Sequence, residues 1–396
     1  MKNLDHSNTP NQWGKIVLLT GANFTLIAGA GLSTAMPAML IAFGDVPGAA
    51  LLVSLIVTLP ALFVVLGGPV MGLLTDRFGR KPVLVGSILI GGLAGSGAYF
   101  LTHIFAILLT RALVGLCIAG ATTATNALIA DYFSGQKRAK FMGYQSAFGG
   151  LSVIFFLPIG GFLADITWEY AFLVYLSVLL IFVPALFAIH EPKVSRQPAG
   201  SANRSRLTLT PSLGLIYTGT FILHFAFMTI PVYIAYYMAD LLGVGGFEVG
   251  LVGGLSGLLT FLGGMVYERT GRRLSYQSLF VGGFLLMGGG FTALAVANTW
   301  TLVILGQVIA GFGMGLNMAN LTTWLAHEAS PEIRGRANGV FVTLMFLGQF
   351  VTSLVFTPIV TQTSYHFGFL LSAIILLSFG FSSLLISRSF SPNVKA

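Results

Sequence analysis

The sequence predicts an all-α membrane protein with twelve transmembrane helices in two six-helix bundles. Three observations carry that prediction. Only 8% of the 396 residues are charged while 55% are hydrophobic, against about a quarter charged in an ordinary soluble domain. Apolar runs long enough to cross a hydrocarbon core of ~30 Å, which takes roughly 20 helical residues, recur along the whole length. The motifs of the first half also return, in order, in the second.

The apolar runs are continuous and rich in Leu, Ala, Gly and Phe, whereas a barrel would show short alternating strands. They place spans at 16–41, 48–74, 83–100, 104–130, 141–163 and 168–189, then at 212–239, 247–267, 275–297, 301–326, 337–360 and 366–386. Association in lipid depends on close backbone approach, which small residues allow. The glycines Gly86, Gly91, Gly92, Gly95 and Gly97, and later Gly288, Gly289 and Gly290, therefore read as helix-packing faces. Between the sixth and seventh spans, residues 190–211 are rich in Pro, Ser, Gly and Arg and read as a linker. The expected division is thus a first bundle over 1–189, the linker over 190–211, and a second bundle over 212–396.

A net charge of +8 raises nucleic acid as a partner, but the positions of the charges point to topology. With the N-terminus in the cytoplasm, Lys2, Lys15, Arg77, Arg80, Lys81, Lys137, Arg138, Lys140, Lys193, Arg196, Arg204, Arg206, Arg269, Arg272, Arg273, Arg334, Arg336, Arg388 and Lys395 all fall inside. The outer loops carry Asp45, Asp165, Glu169, Asp240 and Glu248 instead. The expectation is a multi-pass protein of a cell (inner) membrane with both ends cytoplasmic, in contact with lipid and without a nucleic-acid partner. The polar leading residues are followed by an apolar run too long for a signal peptide, which reads as a retained first helix. The single cysteine, Cys117, allows neither an intramolecular disulfide nor a cysteine metal cluster, and no cofactor is expected.

The repeat is explicit. Gly72-Leu-Leu-Thr-Asp76-Arg77-Phe-Gly79-Arg80-Lys81 follows the second span, and Gly264-Met-Val-Tyr-Glu268-Arg269-Thr-Gly271-Arg272-Arg273 follows the eighth, 192 residues later. Arg111-Ala-Leu-Val-Gly115 in the fourth span corresponds to Gln307-Val-Ile-Ala-Gly311 in the tenth, offset by 196. Together with Asp131…Arg138…Gly143 and Trp168-Glu-Tyr-Ala-Phe172, these elements resemble the major facilitator superfamily over essentially the whole chain, and its drug/proton antiporter branch in particular. The resemblance implies a central cavity between the two bundles, open alternately to either side. It implies a secondary transporter whose partners are a small-molecule substrate and protons, and which works as a monomer because one duplicated chain completes the cavity.

The loop after the second span has a physical logic of its own. A helix C-terminus is electronegative, and Arg77, Arg80 and Lys81 complement it. Gly72 and Gly79 permit close contact and a tight turn, and Pro82 suits a first helical turn. The resemblance implies that Asp76 faces the start of the eleventh helix, that Arg80 and Asp131 complete a charge cluster at an inner gate, and that Glu268, with Arg269 and Arg272, plays the matching role against the fifth helix. The alternative is that these charges enforce topology only.

Arg111 is the only Lys or Arg within a span, and an intramembrane cation needs a reason. It lies seven residues into its helix, so snorkelling outward is one reading. The other uses the polar stripe it shares with Gly115, Ala119, Thr122 and Asn126, which suits a watery cavity. By topology the nearest acid to Arg111 is Asp165, with carbonyls, water or substrate as the remaining partners. His224 could carry a proton, or could be a neutral imidazole bonded to a neighbouring helix. Asn23, Gln145, Asn317, Asn320 and Gln349 could orient substrate, or serve interhelical hydrogen bonds. Phe221, Phe225, Phe227, Tyr233, Tyr236 and Tyr237 read first as packing and second as a wall for a partly apolar ligand.

Two departures from the antiporter pattern bear on direction and substrate. The fifth span has Gly149-Gly150 and Leu157-Pro158-Ile-Gly160-Gly161 where the branch has a Gly-Pro pair. The first span contains no carboxylate, which turns the expectation away from permanent cations and towards neutral, zwitterionic or anionic compounds. No phosphate-binding loop, H-E-x-x-H or nucleophile motif is present, so a gradient rather than a reaction is the expected energy source. Export of an amphipathic small molecule by proton antiport is the leading expectation. Proton-linked uptake of an organic solute stands second, and a membrane enzyme or receptor third.

Overall fold

A computed structural model describes residues 10–192, 210–330 and 333–389. Lys2, Lys193, Arg196, Arg204, Arg206 and Lys395, with most of the expected linker, lie outside the described residues, as does the side chain of Arg388. The chain divides into two compact units, Met1–Ala199 and Gly200–Ala396. Among the described residues, twelve helical stretches are long and apolar enough to cross a membrane.

In the first unit the first span comprises α1 (Gln12–Ala22), α2 (Phe24–Ala30) and α3 (Leu32–Ala42). Then come α4 (Ala49–Phe78), α5 (Arg80–Gly97), α6 (Ile104–Tyr132) and α7 (Gly135–Ile166). The sixth span opens as a 3₁₀ segment, Trp168–Tyr175, and continues as α8 (Leu176–Leu180) and α9 (Phe182–Ala188). The second unit holds α10 (Pro211–Phe227), α11 (Thr229–Leu242), α12 (Gly246–Thr270), α13 (Tyr276–Ala295), α14 (Trp300–Glu328), α15 (Arg334–Gln362) and α16 (Tyr365–Ser389). Here α10 and α11 together form the seventh span.

The break between α10 and α11 has a covalent cause. Pro231 carries no N–H and its ring crowds the carbonyl four residues back, so the helix interrupts at Met228. In the first span, the Asn23 side chain donates to the Leu19 carbonyl at 2.9 Å, and α1 ends beside it.

Each unit packs around its fourth helix. In the first, α6 lies against α4 and α5; in the second, α14 lies against α12 and α13. The duplicated Gly explains why. A Cβ on Gly115 would stand 2.4 Å from the Pro60 carbonyl oxygen, and one on Gly311 would stand 2.5 Å from that of Ser256. Only glycine lets the backbones approach so closely. The expected packing glycines divide accordingly. Gly91, Gly92, Gly95, Gly288 and Gly290 press on neighbouring helices, whereas Gly86, Gly97 and Gly289 have open space where a Cβ would point. Leu109, Leu180 and Phe187 are among many large apolar side chains left outward, as contact with lipid rather than water requires.

Candidate functional site

The loop after α4 is a single residue, Gly79, at φ +100°, a conformation that side-chain-bearing residues rarely adopt. The chain thereby turns directly from Phe78 into α5. Arg80 Nε lies 2.6 Å from Asp131 Oδ2 on α6, a contact held by charge rather than by an aligned N–H···O bond. Thus Arg80 and Asp131 meet within one unit, as the expected cluster requires. A second acid joins them, from the segment expected to be a plain linker. The Glu191 carboxylate accepts the Arg80 N–H at 2.8 Å and the Lys81 N–H at 2.7 Å. Beside it, the Tyr132 hydroxyl bonds to the His190 carbonyl and accepts the His190 N–H at 3.1 Å.

Other members of the loop behave differently. Asp76 and Arg77 are exposed, and the Arg77 guanidinium lies 5.5 Å over the Phe78 ring. At Gly72 no described atom lies within 4 Å of where a Cβ would be. In the second unit Glu268 pairs with Arg272 at 3.7 Å, both side chains 80% exposed. Such a pair contributes little. Arg269 is exposed as well.

Arg111 corrects two expectations. It does not snorkel, being fully buried, and its described partners do not include Asp165. Its Nη1 donates to the Tyr175 hydroxyl at 2.8 Å and its Nη2 to the Gly95 carbonyl at 3.2 Å, with Thr110 Oγ1 accepting from Nε at 3.3 Å. The guanidinium carbon also sits 4.9 Å from the ring centroids of Phe172 and of Tyr175. The cation is therefore held among α5, α6 and the 3₁₀ segment, while Asn126 at the other end of the predicted stripe is exposed. Helical periodicity grouped the two on one face but could not show that α5 and the sixth span enclose only the first of them. In the second unit Gln307 occupies the corresponding position of α14, fully buried, with neither end of its amide hydrogen-bonded among the described residues.

Most of the remaining polar candidates are hydrogen-bonded within their own unit. Asn23 Nδ2 also donates to the Gln145 carbonyl at 3.1 Å, joining the first span to α7. The imidazole of buried His224 bonds through Nδ1 to the Thr220 carbonyl at 2.9 Å, on its own helix rather than a neighbour. With its amide oriented to satisfy both neighbours, Asn317 donates to the Phe280 carbonyl at 3.2 Å and accepts from the Phe284 N–H at 2.9 Å. Asn320 donates to the Tyr276 carbonyl at 2.9 Å. Gln349 is half-buried. Of the aromatic group, Phe221 and Phe225 stack at 5.8 Å, Tyr233 bonds Thr357 at 2.8 Å, and Tyr237 donates to the Ala297 carbonyl at 2.7 Å.

The family model of the Major Facilitator Superfamily matches this chain twice, over residues 18–217 and 216–395. The chain belongs to that superfamily. It is a multi-pass membrane protein and a secondary transporter, not an enzyme. Among its relatives in the superfamily are the tetracycline resistance protein, class D, of Salmonella ordonez and the multidrug resistance protein MdtG of Escherichia fergusonii. The first is 26% identical over 78% of this chain and 80% of its own length; the second is 27% identical over 80% and 79%. Among solved structures, a D-xylose-proton symporter has the same fold, with a TM-score of 0.76 at 18% identity over 96% of this chain and 98% of that one.

Proposed function

We propose that this superfamily member exports a small amphipathic molecule by alternating access, in exchange for protons. The observation that carries the reading is that two relatives named for drug resistance align with about four fifths of the chain. Direction is not a property of the fold, which is shared with a proton symporter. The lack of a carboxylate in the first span favours neutral, zwitterionic or anionic substrates. The Arg80–Asp131 pair, with Asp76 and the loop of the second unit, forms the inner gate in this reading, and Asn126, Gln145 and Gln349 belong to the pathway. Arg111 contributes a fixed positive charge from its aromatic cage, and His224 is the residue of the pathway best suited to exchange a proton. The protein works as a monomer in a cell inner membrane with both termini cytoplasmic.

The deciding experiment is a screen in inverted vesicles under an imposed pH gradient, with tetracycline and a panel of neutral and anionic dyes as probes. Export predicts gradient-driven accumulation inside the inverted vesicles, abolished by a protonophore. The missing Gly-Pro pair of the fifth span favours a second reading, proton-linked uptake. That reading predicts accumulation in right-side-out vesicles when the outside is acid.

A further inference from the structure

The first four N–H groups of any helix lack intrahelical partners, and a side chain just before the helix usually supplies one. The second unit follows this rule: Ser275 Oγ, immediately before α13, accepts the Ser278 N–H at 3.2 Å. The matching helix of the first unit, α5, has no such residue. Gly79 stands at that position and has no side chain. The cap comes instead from Glu191, 111 residues along the chain and beyond the end of α9, which takes the first two N–H groups of α5 at once. An anion at a helix N-terminus also gains from the helix dipole. Gly79 is doubly required, since a Cβ there would lie 2.9 Å from Glu191 Oε1. The His190 backbone, bonded through both its N–H and its carbonyl to Tyr132 on α6, holds the acid in place.

We infer that Glu191 is a positioning residue of the gate: it fixes the backbone of Arg80 so that the guanidinium reaches Asp131, and it joins the end of the sixth span to the signature loop. Opening of the gate then disturbs the Glu191 contacts together with the ion pair. The inference rests on the gate reading above but is independent of the direction of transport and of the substrate.

The test uses the full chain in lipid nanodiscs, with spin labels on Gln136→Cys and Ala326→Cys in a Cys117→Ala background. The distribution of label-to-label distances gives the ratio of closed to open molecules on the signature-loop side. Thermal stability is measured alongside. Glu191→Ala should shift that ratio towards open by about two- to thirtyfold, the range that loss of a helix cap produces. Glu191→Gln keeps a carbonyl acceptor and should shift it less. Asp131→Asn should shift it too, and the Glu191→Ala effect should shrink in that background.

If Asp131→Asn shifts the distances and neither Glu191 variant does, the role of Glu191 is refuted while the gate stands. If none of the three moves them, the gate reading itself fails and this inference with it. If Glu191→Ala lowers thermal stability at an unchanged ratio, Glu191 is merely structural. Should Glu191→Ala not fold, Glu191→Gln decides by the same criteria.

Discussion

Removing one hydroxyl, in Tyr175→Phe, tests the cage around Arg111. The phenol accepts from Nη1 at 2.8 Å in a fully buried setting, so the substitution leaves a charged donor without that acceptor while both flanking rings remain. Neutral interhelical hydrogen bonds in a bilayer average ~0.6 kcal/mol. A bond to a charged group is worth about 1.5–3 kcal/mol, and a buried partner left unsatisfied forfeits its desolvation cost as well. The upper range applies here, so Tyr175→Phe should destabilise the protein by about 1.5–3 kcal/mol, or roughly 10- to 150-fold in the unfolding equilibrium. The same substitution in an Arg111→Met background has no guanidinium left to unpair and should cost clearly less than it does in the parent. Reversible unfolding in mixed micelles, followed for the parent, both single variants and the double variant, gives the coupling energy. Additive effects, with a coupling energy near zero, would refute the cage as the seat of Arg111.

Three further outcomes are expected. Asp76→Asn changes an exposed side chain, so thermal stability should stay within about 0.5 kcal/mol of the parent while transport of any probe the parent moves falls; unchanged transport would remove Asp76 from the gate. Gln307→Met replaces a buried amide that has no hydrogen-bond partner among the described residues by an apolar side chain of similar length, and should raise stability by about 1 kcal/mol or more, read as a higher unfolding midpoint. Cysteines at Asp45 and His103, in a Cys117→Ala background, should react with an impermeant thiol reagent added to intact cells, and one at Lys137 only after permeabilisation. The reverse pattern would invert the proposed topology.

Much of the fold could be read from the sequence because the features concerned are local or periodic. Twelve apolar runs need no knowledge of neighbours, and the paired loops at Gly72 and Gly264 reveal the duplication by position alone. Long-range partners were less accessible. Periodicity placed Arg111 on a face of α6 but gave no sign that Tyr175, 64 residues on, would meet its guanidinium. Pro231 signals the break in the seventh span, but a continuous apolar run masks an interruption in hydrogen bonding. Glu191 had a signal too. It is an acid just past a helix C-terminus, where the dipole disfavours one. Such a residue calls for a nearby helix start, which α5 provides.

The Glu191 clasp also determines where the two halves can be separated. A boundary drawn at the last apolar residue, Ile189, assigns His190 and Glu191 to the tether, and a first-half fragment cut there would leave the opening amides of α5 bare and Tyr132 without its backbone partner. A cut after Pro192 keeps both. For co-expression of the halves as separate polypeptides, for circular permutation, or for grafting a reporter between them, the usable seam thus begins three residues beyond where hydropathy places it.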